Sequence, residues 1–187
     1  MSSNLNNRLF LCAGNGEEFK FATSIGVGLI NSAMNLTRIL ERMGTMPSEI
    51  VFVGTCGIYG AKTNSNLNIL DVFETTFAAN VEISQLLGLA YTPVPSLDVP
   101  RETNPVNCSN FITTDSAASA KLAALGFVAE NMEFFAVREV ATAYSLPVRA
   151  VLCATNYCDE NAHEDFLAHR AIAKSRLENY LKERKFI

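Results

Sequence analysis

The sequence predicts an α/β fold: a three-layer sandwich with a central mixed β-sheet flanked by helices. Short apolar runs bounded by glycine or polar turns alternate with stretches whose apolar residues recur at three and four positions. One run, Val148–Cys153, is apolar throughout, as in a parallel strand covered on both faces. The length of 187 residues suits one domain with a sizeable core, spanning 1–187.

Leu9 to Ala13 reads as a buried strand ended by the turn Gly14-Asn15-Gly16, and Phe19 to Ile25 as a second strand. After Gly26-Val27-Gly28 a helix runs to about Met43, with Leu29, Ala33, Leu36 and Leu40 on one face and Gly44 as its stop. Ile50 to Val53 is a third strand, leading into a strand-end loop, Gly54-Thr55-Cys56-Gly57. A polar loop over residues 62–68 precedes a strand at Ile69 to Phe77. Leu89 to Ser109 carries Pro93, Pro95, Pro100 and Pro105 and is expected to run over the surface. Phe111 to Thr113 is a short strand, and Asp115 or Ser116 caps an alanine-rich helix reaching Leu125. Phe127 to Glu130 is strand-like, Met132 to Tyr144 a helix, and Val148 to Cys153 the last strand. Phe166, Leu167, Ala173, Leu177 and Leu181 mark a long closing helix with Lys182, Arg184 and Lys185 at its carboxyl end, where the dipole favours cations.

Composition narrows the function. Hydrophobic residues make up 49% and charged residues 18%, with a net charge of -4. No basic block precedes the end of the chain, which argues against nucleic acid as a partner. No apolar run approaches the roughly 20 residues that span a bilayer, so no membrane association is expected. Met1 to Asn7 is polar and lacks the apolar core of a signal peptide. The five cysteines are scattered without a CxxC pair and read as reduced thiols of a cytoplasmic protein. With two histidines, His163 and His169, and no ligand cluster, no metal site is expected. His163 reads as a surface residue at a helix start.

Two polar residues stand where chemistry is usually placed in such folds. Glu133 opens a helix, and Asn156, 23 positions on, follows a buried strand. A carboxylate can accept from two adjacent hydroxyls, and a helix amino terminus favours its charge. An amide offers a donor and an acceptor together. Taken singly, Glu133 also suits a residue that merely complements the helix dipole, and Asn156 a turn residue.

Three segments resemble the purine nucleoside phosphorylase and nucleosidase superfamily. Ser24-Ile25-Gly26-Val27-Gly28 is similar to its S-G-I-G turn, and Val53-Gly54-Thr55-Cys56-Gly57 to its V-G-S/T-C-G strand end. Asn131-Met132-Glu133 with Thr155-Asn156 resembles its E-M-E and T-N pair. The futalosine hydrolase branch is most similar, with E-N-M-E-G-x-A then I-S-N-Y, against Glu130-Asn131-Met132-Glu133-Phe134-Phe135-Ala136 and Ala154-Thr155-Asn156-Tyr157 here. The resemblance implies a shortened nucleoside phosphorylase-like fold that cleaves the N-glycosidic bond of a purine nucleoside, with a 6-oxopurine favoured by Asn156.

The resemblance also assigns residues. Glu133 would bind the ribose 2′- and 3′-hydroxyls, with Met132 on the sugar and Asn131 beside it. Asn156 would face the base, and Phe111 or Tyr157 would replace the aromatic that the family stacks on it. Gly54, Thr55 and Gly14 would line the phosphate or water position. The family's hexameric phosphorylases carry arginines just before V-G-S/T-C-G and in the first loop. Phe52 occupies the former place here, and the first loop carries Glu17 and Glu18. Either glutamate would serve as a nucleosidase-type general base, which favours water over phosphate. No cofactor is implied, only inorganic phosphate as co-substrate if the chain is a phosphorylase. Thr23, Ser24 or Arg101 would then supply anion contacts. The family forms dimers or trimers of dimers, so a homo-oligomer is implied. Phe134 replaces the family's glycine and is expected to crowd the ribose pocket, which keeps a non-catalytic nucleoside-binding protein open as an alternative.

Overall fold

A computed structural model describes residues 7–59, 67–93, 98–100 and 104–187. Its centre is β3 (Glu49–Ile58), which pairs in parallel on one edge with β8 (Val148–Tyr157). The other edge of β3 carries β1 (Arg8–Cys12) along its first half and β7 (Ala129–Asn131), antiparallel, at its end. From β1 the sheet continues to the two-residue β2 (Thr23–Ser24). From β7 it continues in parallel through β6 (Val106–Cys108) to β5 (Ala78–Ala79). β4 (Val72–Thr75) closes the far side, antiparallel to β8.

Alternation along the central strands sorts side chains to two faces. Val51, Val53, Val151 and Cys153 pack under the last helix, α5 (Ala162–Glu183), against Ala173, Leu177 and Leu181. Ile50, Phe52, Ala150 and Leu152 point the other way. They meet Leu36 and Leu40 of α1 (Leu29–Arg42) and Phe134 and Val137 of α4 (Phe134–Ala143). These are the three layers expected. A smaller cluster around Tyr59, Leu122 and Phe127 seats α3 (Ser116–Ala124), which packs on the short α2 (Ile83–Leu86). Asp115 is the cap of α3, its carboxylate accepting from the Ala118 N–H at 2.7 Å.

Several expectations need correction. Of the second strand only Thr23 and Ser24 pair, because Phe19 to Ala22 turn back on themselves through an Ala22 N–H to Phe19 carbonyl bond. The strand expected at Ile69 to Phe77 is β4 alone, its start replaced by a turn in which Asp71 accepts from the Asn68 N–H. The proline-rich stretch does not stay on the surface, since its end forms the buried strand β6. Phe111 to Thr113 is a loop, with Phe111 and Ile112 exposed. Most of the polar loop at 62–68, and Arg101, lie outside the described residues.

The largest correction concerns Gly54-Thr55-Cys56-Gly57. It is no strand-end loop but the second half of β3, paired with β8 throughout and shifted in register between Cys56 and Gly57. Its glycines answer to close neighbours. A Cβ on Gly57 would lie 2.8 Å from Cys158 Sγ and 2.9 Å from Asn156 Nδ2. Gly57→Ala is therefore expected to cost about 1–3 kcal/mol through overpacking, read as a fall in Tm of several degrees by thermal unfolding. An unchanged Tm would show that the sheet yields at this point.

Candidate active site

The carboxyl ends of β1, β3 and β8, joined by β7, surround a cavity of about 300 Å³. Each wall follows from the local chain. After β1 the backbone takes three consecutive positive φ angles, 87° at Gly14, 56° at Asn15 and 98° at Gly16, a path cheap only for glycine and asparagine. This turn delivers Glu17 into the cavity, where its carboxylate accepts a short bond from the Thr55 hydroxyl and a longer one, 3.4 Å, from the Thr55 N–H. Gly54 lies behind it; a Cβ there would stand 3.4 Å from Glu17 Oε2. Glu18 points outward. It accepts from the Gly16 N–H at 3.1 Å, and that bond holds its carboxyl below the usual range.

Glu133 occupies the N-cap position of α4, yet its carboxylate reaches across to α1, accepting the Gly28 N–H at 3.0 Å. The capping is done by Asn131, whose Oδ1 accepts the N–H groups of Glu133 and Phe134, both at 2.8 Å. Asn131 Nδ2 donates to the Thr55 carbonyl at 3.0 Å, tying β7 to β3. Asn131 thus commits its oxygen and one N–H to the protein, and one N–H of its amide is left at the cavity it lines. Burial of Glu133 raises its pKa to about 7, against the Gly28 hydrogen bond and with added repulsion from Glu17. The expectation that a helix terminus keeps it ionised is corrected: desolvation outweighs the terminus. Burial likewise raises the pKa of Glu17, despite the Thr55 bonds. Glu17 as a residue is partly exposed while its carboxylate is enclosed by the cavity wall.

Asn156 lies on β8 beside Gly57 and is buried. Its Nδ2 donates to the Tyr157 carbonyl at 2.9 Å, and its Oδ1 stands 3.0 Å from the Thr155 hydroxyl, so the amide is oriented while one N–H remains for the cavity. Of the residues singled out in the sequence, Gly14, Glu17, Thr55, Phe111, Asn131, Met132, Glu133 and Asn156 share the cavity. Glu18, Gly54 and Tyr157 do not line it: Glu18 faces outward, Gly54 sits behind Glu17, and Tyr157 packs against the main core. Thr23 and Ser24 are outside it too. Phe134 crowds nothing there. It is fully buried and stacks on Phe52, ring centroids 6.3 Å apart, on the core side.

Sequence reasoning missed Glu130, Thr155, Ile112 and Phe166 as lining residues. His163, exposed in the first turn of α5, stands at the rim. Among the described lining residues there are three carboxylates, Glu17, Glu130 and Glu133, and no lysine or arginine. Among the described residues no cluster of three His, Cys, Asp or Glu is placed to hold a metal, and no helix is long and apolar enough to cross a membrane.

The sequence matches no family model and no curated protein. Solved structures match over almost their whole length. A mutant Helicobacter pylori methylthioadenosine nucleosidase with 5′-methylthioadenosine in its active site superposes with a TM-score of 0.75 at 15% identity, over 95% of this chain and 96% of that one. A futalosine hydrolase mutant of the same organism gives 0.74 at 14% identity, over 94% and 96%. The Streptococcus pyogenes S-adenosylhomocysteine nucleosidase in complex with 5-methylthiotubericidin gives 0.72 at 16% identity, over 93% of each chain. At such identities the likeness establishes architecture, and the chain has the fold of the methylthioadenosine/S-adenosylhomocysteine nucleosidases and futalosine hydrolase.

Proposed function

We propose that the protein hydrolyses the N-glycosidic bond of a 6-oxopurine nucleoside. The observation that carries the reading is the pairing of Glu17 with Thr55 in the cavity that also holds Glu133 and Asn156. Glu17 is the general base for the attacking water, and Thr55 fixes its orientation. Glu133 accepts from the ribose 2′- and 3′-hydroxyls and sets a negative charge beside the oxocarbenium-like sugar. Asn156 donates to N7 or O6 as electrons pass into the departing base. Phe111 at the mouth offers a face for the purine, and Met132 packs on the sugar. The reaction uses no cofactor and takes place in the cytoplasm, in a homo-oligomer.

Water is favoured over phosphate by charge. A phosphate dianion among Glu17, Glu130 and Glu133 would meet repulsion with no described cation at hand. Inosine incubated without phosphate is expected to give hypoxanthine and free ribose, separated by chromatography. Hypoxanthine with ribose 1-phosphate, formed only when phosphate is added, would make the enzyme a phosphorylase instead.

Activity and stability should respond to pH in opposite directions. Glu133 anchors ribose as the carboxylate, so kcat/KM is expected to rise as pH passes about 7. Between 4.5 and about 7 the folded chain keeps a proton on Glu133 that the unfolded chain has released. This group's contribution to stability therefore falls as pH rises through that window. In thermal unfolding, Glu133→Gln should gain on the wild type from pH 5 to pH 8. A kcat/KM flat over the same range would remove Glu133 from its role.

A further inference from the structure

His169 of α5 is half-buried and has no task in the mechanism above. We propose that it is a positioning residue: by holding the Thr155 carbonyl it fixes a bulge in β8 that sets the Asn156 amide in the cavity. The inference rests on the nucleoside reading of the site, in which Asn156 serves the departing base, and adds the residue that keeps that amide in place.

The register of the sheet contains the bulge. Cys56 of β3 pairs with Ala154 of β8, but the next residue, Gly57, pairs with Asn156, so Thr155 is an extra residue with no partner on β3. Bulges are rare between parallel strands and recur beside active sites, where they re-aim a side chain. Here the extra residue decides what stands against Gly57. In an unbroken ladder that place would fall to Thr155. The bulge gives it to Asn156, whose Nδ2 would lie 2.9 Å from a Cβ on the glycine.

A bulge takes backbone groups out of the ladder, and buried ones need other partners. On its far edge β8 has already lost β4: their pairing ends at Val72 and Cys153, followed by a bond from the Leu70 N–H to the Ala154 carbonyl at 2.7 Å. The Thr155 carbonyl is met instead by His169 Nδ1 at 2.8 Å. A carbonyl only accepts, so the ring carries a proton on Nδ1. The Thr155 hydroxyl lies 3.2 Å from the Cys56 carbonyl, across the strands, and 3.0 Å from Asn156 Oδ1. The extra residue is thus pinned at its carbonyl by α5 and at its hydroxyl by β3, and the Asn156 amide takes its orientation from it. Phe166, one turn earlier on α5, lines the cavity and His169 does not, so the imidazole acts from behind the wall.

The test is a set of variants of the full chain, read by inosine turnover and by the side-chain amide NMR signals of Asn156 in isotope-labelled protein, identified by their loss in Asn156→Ala. His169→Phe keeps the bulk of the ring and removes the donor, leaving the carbonyl unpaired. It should lower kcat by roughly 10–100-fold with KM held within about threefold, since the amide is needed most as charge passes to the base. The Asn156 amide signals should shift with it. His169→Ala removes the same donor without filling its space and should give the same two results. His169→Asn, whose amide nitrogen falls where Nδ1 stood, should recover most of kcat and return the signals, a rescue that a role in packing alone does not predict. Because His169 acts through Asn156, His169→Phe added to Asn156→Ala should change kcat by less than about twofold further. Unmoved amide signals in the variants without the donor, no recovery in His169→Asn, or a full further loss in the double variant would each overturn the assignment. Should the wild type leave inosine uncleaved, the hydrolase reading falls and the amide signals alone decide on His169.

Discussion

Glu133→Gln is expected to lower kcat/KM for inosine by roughly 10³-fold. Two hydroxyl donors on a buried carboxylate are hydrogen bonds to a charged group, each worth about 1.5–3 kcal/mol, and the charge itself steadies the cationic sugar. The variant keeps an acceptor for the Gly28 N–H, so the junction of α1 and α4 is preserved. Loss of activity can then be separated from loss of fold by thermal unfolding. A sharper comparison uses 2′,3′-dideoxyinosine. Its penalty in the wild type should largely vanish in Glu133→Gln, because the partners of the missing hydroxyls are already gone. Turnover of inosine near the wild-type rate, or a dideoxy penalty of equal size in both proteins, would remove Glu133 from the ribose.

Glu17→Gln should reduce kcat by about 10²–10⁴-fold, the span of a lost general base, with little change in the affinity for hypoxanthine. The amide oxygen still receives the Thr55 hydroxyl, so the side chain stays in place while its basicity is lost. Glu18→Gln is the matching control. Its carboxylate is turned to solvent and bonded to Gly16, and its replacement should leave kcat as it is. If Glu18→Gln abolished turnover and Glu17→Gln did not, the assignment of the base would be reversed.

The contrast between these two neighbours shows where sequence reading stops. Both are charged residues after a glycine turn, and no local pattern separates them. The choice is made by Thr55, 38 positions away, and by the left-handed path through Gly14, Asn15 and Gly16. The elements read well were those whose signal is local. The apolar runs of β1 and β8, the helical period of α1 and the Asp115 cap are visible in a few residues. β5, α2 and β6 were missed because they are short and sit among prolines and polar residues. β3 was cut short because Gly54 and Gly57 look like turn residues, whereas their smallness is imposed by Phe52, Asn156 and Cys158 across the fold; β8 was ended at Cys153, where its apolar run stops, although it continues to Tyr157 and holds Asn156 within the strand. Glu130 was passed over for the same reason: it reads as one residue of a strand, and its partners Tyr59 and Thr113 come from other segments.

The pairing of β3 with β8 has a kinetic consequence. Ile50 meets Val148 and Gly57 meets Asn156 only after a loop of about half the chain has closed, and Glu133 finds Gly28 across 105 positions. Contacts of such long separation form late and slowly. Helices α1 and α5 can appear early in refolding, but the cavity needs β1, β3, β7 and β8 in register at once. Nucleoside binding should therefore return in the slowest main phase, well after helical circular dichroism has recovered, and collapsed intermediates should hold no ligand.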